Sequence, residues 1–200
     1  TGEEDKAKEV LEKARAIDDF RGDVANYLNV VRRLTDGDFV AKESAHFIIK
    51  VDKRYDLVLL DQVSEYMERI YPEVTGDYGY EPRKKTIIEI MPFQNEFSLR
   101  IAGTGWVPTV GASTGTVICI AAPSKSRGAL GLHNWAVVLR HEYAHTVTLE
   151  MTGNRIPHWF TEACAVSQQP DKRAFRYIQM LVQATRTGKL FSIKDMDWGF

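Results

Sequence analysis

The chain has 200 residues, 44% of them hydrophobic and 26% charged, a balance that suits an ordinary globular protein with material for a core. A net charge of −1 and the lack of any basic run argue against a nucleic-acid partner. No apolar stretch approaches the ~18 uncharged residues of a membrane-spanning helix, so no span is expected.

In chain order, the first 38 residues differ from the rest. Glu3 to Phe20 is charge-rich and carries Ala7, Val10, Leu11, Ala14 and Ile17 at helical spacing. After an Arg21-Gly22-Asp23 break, Val24, Tyr27, Leu28 and Val31 continue the pattern to Leu34. A helical hairpin over 1–38 is expected, either as a cap on the next domain or as the end of a helical repeat array, and its helices are candidate surfaces for protein partners. One domain is expected over 39–200. In it Phe47–Val51 reads as a strand, and Tyr55–Tyr71 as an amphipathic helix with Leu59, Val63, Tyr66, Met67 and Ile70 inward. Thr86–Ile90 is a second strand, closed by Met91-Pro92. Phe97–Arg100 suits either a third short strand or a turn of helix. Glycines 103, 105, 111 and 115 surround short extended pieces, and Thr116–Ala121 is a strong strand. Cys119 and Cys164 stand in apolar contexts and read as buried free thiols, although a disulfide between them is not excluded by sequence.

The chemistry-bearing stretch is His141-Glu142-Tyr143-Ala144-His145. On a helix, residues four apart lie one above the other, so two imidazoles at 141 and 145 can grip one metal ion. Glu142 is the next residue round, placed to take a proton from an attacking water without being a ligand. Asn134 is a credible N-cap, Trp135–Met151 is apolar nearly all round, and Gly153-Asn154 is a natural stop. Such a helix is buried, and buried histidines need partners. A zinc site of this type needs a third protein ligand. A third histidine six residues after the second would fall on Met151, so it is absent. A glutamate from the following helix, expected over Pro157–Val166, is the alternative. Glu162 sits there among Trp159, Phe160, Ala163 and Ala165, where an unpaired carboxylate would be costly. The short turn 152–156 lets the two helices pack antiparallel. His158 and Tyr143 are the candidates for a second-layer or substrate contact, Glu150 reads as solvated, and His46 and His133 read as structural.

His-Glu-x-x-His followed by Ile156-Pro157-x-Trp159-Phe160-Thr161-Glu162-x-x-Ala165 resembles the gluzincin metallopeptidases of the peptidase MA-like group. The resemblance is carried by about 134–168 and matches upstream only in outline. It implies an α+β, zincin-like lobe: a small mixed sheet, an active-site helix with the motif, and a following glutamate helix, here preceded by the hairpin. It implies Zn2+ as cofactor, His141, His145 and Glu162 as its ligands, Glu142 as general base, and a peptide or protein substrate held at a sheet edge, for which the Gly111–Ile120 region is the candidate. The chain departs from the pattern twice. The usual glycine after the ligand glutamate is Ala163, and the aspartate that thermolysin-like members place four residues after the glutamate, to orient the first histidine, is Val166. The partner of His141 is therefore left open. No residue is assigned to stabilise an oxyanion; Tyr177 is only a guess. The ends, Thr1-Gly2 and Gly199-Phe200, suggest a fragment cut short at its C-terminus. No compartment is assigned, and an extracytoplasmic one would follow only from removal of a leader. The alternative from another class is a non-catalytic, zinc-containing binding module of peptidase-like fold. A zinc hydrolase acting on another bond would share the same residues.

Overall fold

The computed structural model describes residues 3–103, 105–123, 132–170 and 175–199. It is an α+β fold around a five-stranded mixed sheet. The strands are β1 (Phe39–Glu43), β2 (Phe47–Asp52), β3 (Thr86–Met91), β4 (Gly111–Ser113) and β5 (Val117–Ala121), in spatial order β1-β2-β3-β5-β4. The central neighbours β2, β3 and β5 run parallel, while β1 and β4 are antiparallel edge strands. Alternation along the strands divides the core into two layers. Ile88 and Ile90 of β3 and Ile118 and Ile120 of β5 face one side, where they meet the helices α3 (Leu57–Tyr78) and α5 (Trp135–Thr152). Met91, Cys119 and Ala121 face the other, where they meet α2 (Gly22–Thr35) and α4 (Gln94–Ala102) through Val30, Leu34 and Phe97.

The N-terminal hairpin forms as expected, with α1 (Glu4–Ile17) packed on α2. It is not an appendage, because α2 supplies Val30 and Leu34 to the second core layer and Tyr27 donates its hydroxyl to the Arg100 carbonyl at 3.0 Å. Glu4 of α1 meets Lys50 and Arg100, which also face the fully buried Glu89. The hairpin thus shares a core with the sheet.

Several elements differ from the sequence expectation. β1 was not expected. Of the two readings of Phe97–Arg100 the helical one is found, as part of α4, closed by Gly103 in the left-handed region. α3 runs through Pro72 to Tyr78. An internal proline costs a helix roughly 3 kcal/mol, and the buried side chains of Tyr71, Val74 and Thr75 on either side offset it. Of the expected edge region 111–120, only β4 lies at the edge; β5 is interior, between β3 and β4. Both cysteines are free, Cys119 buried and Cys164 half-buried. Among the described residues no helix is long and apolar enough to cross a membrane.

Candidate metal centre

α5 begins where the sequence places it. The Asn134 side chain accepts from the amides of Ala136 at 3.1 Å and Val137 at 3.4 Å, and Gly153 ends the helix in the left-handed region. The next helix, α6 (His158–Ser167), starts one residue later than expected: Pro157 stands just before it, and its carbonyl accepts from Phe160 and Thr161. The two helices pack closely across the turn 153–157.

This packing brings His141, His145 and Glu162 together. The Nε2 atoms of the two histidines lie 3.2 Å apart. The Glu162 carboxylate straddles them, with Oε2 3.4 Å from His141 Nε2 and Oε1 3.4 Å from His145 Nε2. Metal–nitrogen bonds of ~2.0–2.1 Å at tetrahedral angles separate two ligand atoms by about 3.3 Å, so the three side chains already stand at the spacing of a zinc ligand set. Burial lowers the pKa of both histidines, against the opposing pull of Glu162, which keeps their lone pairs free for a cation. Both Nδ1 atoms are engaged elsewhere. His145 Nδ1 lies 2.8 Å from the Thr161 hydroxyl, itself 2.9 Å from that of Thr148, which donates to the Ala144 carbonyl. His141 Nδ1 lies 2.9 Å from Gln169 Nε2. The donor set fits one divalent cation held through Nε2, Nε2 and a carboxylate.

Glu142 faces the same cleft from the next position on α5. Its carboxyl is nearly buried and has no hydrogen-bond or ion-pair partner among the described residues, and burial, with a smaller push from Glu162, raises its pKa to about 8. The cleft holds about 370 Å³ and is walled by β4 (Gly111, Ala112, Ser113), by α5 and by α6. The Ser113 hydroxyl meets that of Thr146 at 3.1 Å, tying the edge strand to α5.

The two secondary candidates separate. His158 lines the cleft mouth, largely exposed, with Nε2 3.7 Å from Glu162 Oε1. Tyr143 is not at the site. It points into the core against Phe47 and Tyr71 and is fully buried. At 100° per residue, position 143 lies on the opposite face of α5 from 141, so helix geometry alone excludes it. Glu150 is half-buried: it accepts from the Arg83 amide at 3.0 Å and from Tyr80 at 3.4 Å. His46 stacks on Tyr71 and pairs with Glu68, away from the cleft. Tyr177 lies on α7 (Phe175–Arg186), outside the cleft lining. Sequence reading missed Thr161, Thr148 and Gln169. Thr161 carried a weak signal, a polar residue beside a ligand in an apolar helix; Gln169 carried none.

No family model matches the chain, and neither a curated protein nor a solved structure is significantly similar to it.

Proposed function

We propose that this protein is a zinc-dependent hydrolase of peptide bonds, with a gluzincin-like site. The observation that carries the reading is the convergence of His141, His145 and Glu162 beside the Glu142 carboxyl, which no side chain among the described residues holds. The three would hold Zn2+, which when bound supplies Lewis acidity to a substrate carbonyl and acidifies a water molecule. Glu142 takes the proton from that water and can pass it to the leaving amine. Glu142 lies in a cleft walled in part by a sheet edge, β4. An extended peptide can add to that edge as a further antiparallel strand, which favours a peptide over a compact substrate.

The test is metal content together with Glu142→Gln. One zinc per chain, and peptide hydrolysis that falls by roughly 10²–10⁴ in the variant with zinc retained, is the expected result. A purified protein without stoichiometric zinc sinks the metal reading. Zinc in both proteins with no difference in hydrolysis of a broad peptide library sinks the catalytic one and favours the binding module.

A further inference from the structure

The histidine pair is asymmetric. His145 has a hydroxyl at Nδ1, part of a chain of threonines inside the helix packing. Among the described residues His141 meets no aspartate or hydroxyl. Val166 is apolar and partly exposed, so the position four residues after Glu162 offers nothing to it. The ring instead meets a carboxamide from beyond the end of α6.

That carboxamide is held in place by its neighbour. Gln168 is buried and clamped at both ends: its Nε2 donates to Asp77 Oδ2 of α3 at 2.8 Å, and its Oε1 accepts from Arg140 of α5 at 3.1 Å. Arg140 is in turn paired with Glu73 at 2.5 Å. The last turn tightens, with the Gln169 amide donating to the Val166 carbonyl. The chain leaving α6 is therefore fixed against the residue that precedes His141, and Gln169 falls beside the ring.

We infer that Gln169 is the positioning residue of His141, a two-ended partner that serves the ring in both its metal-free and its metal-holding tautomer. The inference rests on the metal reading above. Gln169 Nε2 lies 2.9 Å from Nδ1; a carboxamide nitrogen can only donate, so a neutral His141 ring in this arrangement accepts there and has its proton on Nε2, 3.2 Å from His145 Nε2. A ring that gives its Nε2 lone pair to a metal must carry the proton on Nδ1 and needs an acceptor there. Half a turn of the carboxamide presents Oε1 at the same place. A carboxylate can serve only the second tautomer, and an apolar side chain neither.

The test compares wild type with Gln169→Leu and Gln169→Glu. Zinc affinity is measured by competition with a chromophoric chelator, and the His141 tautomer by ¹⁵N NMR of the histidine rings with and without zinc. In wild type the His141 proton is expected on Nε2 without metal and on Nδ1 with it. Gln169→Leu is expected to weaken zinc binding about 10–100-fold, with the melting temperature of the metal-free protein unchanged. Gln169→Glu is expected to bind at least as tightly as wild type and to hold the Nδ1–H tautomer even without metal. Zinc affinity of Gln169→Leu within twofold of wild type overturns the inference. If that variant does not fold, Gln169→Glu decides: binding tenfold weaker than wild type, or an unchanged metal-free tautomer, overturns it. A wild type that binds no zinc fails the metal reading instead, and the metal-free tautomers of wild type and Gln169→Glu then judge Gln169 alone.

Discussion

A β-carbon built on Gly111 would stand 2.7 Å from Oε1 of Glu142 and 2.6 Å from Cγ1 of Val138. Gly111 is the first residue of the edge strand, and its lack of a side chain is what lets β4 lie against the face of α5 that carries the proposed base. The two atoms it would meet belong to side chains and not to backbone, so they can move, but Glu142 cannot move without leaving its place. Gly111→Ala is expected to cost only about 1–3 kcal/mol of stability, the usual range for overpacking. Hydrolysis should fall by roughly 10²-fold, since a misplacement of ~1 Å is enough for that. Zinc affinity should hold, because no ligand is touched. Steady-state kinetics beside a zinc titration checks this, and unchanged kcat would show that the contact does not position Glu142.

The Thr161 hydroxyl joins His145 to Thr148 and is buried. Thr161→Val keeps the shape and removes the partner of Nδ1. Leaving a buried polar group unpaired costs ~1–3 kcal/mol, and losing an outer partner of a ligand histidine weakens metal binding ~10-fold or more. Thr161→Ser should restore most of both. Chelator competition and thermal melts of the three proteins separate these effects; equal zinc affinity in the valine variant would mean the hydroxyl does not orient the ring.

The Tyr143 hydroxyl is buried without a partner among the described residues. Tyr143→Phe removes that polar group and keeps the ring between Phe47 and Tyr71. The variant is expected to be as stable as wild type or more stable by about 1 kcal/mol, because an unsatisfied buried hydroxyl opposes folding. Zinc binding and hydrolysis should be unchanged. Denaturant melts and a zinc titration check it; lost zinc binding would return Tyr143 to the site.

Asp56, just before α3, is nearly buried, with Oδ2 unpartnered among the described residues. Burial, with a push from the Asp52 carboxylate, raises its pKa from 3.8 to about 6. Between these two values the folded chain holds a proton that the unfolded chain has released. Its contribution to stability therefore falls as pH rises from about 4 to 6, by an amount on the order of 3 kcal/mol. Asp56→Asn cannot ionise and should be more stable than wild type at pH 7, with the difference vanishing near pH 4. Urea melts at the two pH values test the sign, and an Asn variant less stable at pH 7 would refute it.

Much of this molecule is legible in its residues one element at a time. The spacing of His141 and His145, the Asn134 cap, the Gly153 stop and the alternation in β2, β3 and β5 all follow from helix and strand geometry, which depends only on nearby residues. The same geometry turns Tyr143 to the face of α5 opposite His141. Even Glu162 was within reach, because a single short turn joins its helix to the motif. What remained hidden lies across longer separations in the chain. β4 alone forms the edge, Gly111 presses on Glu142, and Gln169 reaches His141 only because Gln168 is clamped to α3 and α5. The sequence by itself determined which residues are candidates for the chemistry and on what local element they lie. Tertiary packing decided which of them meet, because crossing angles and loop paths bring together residues that no local period relates.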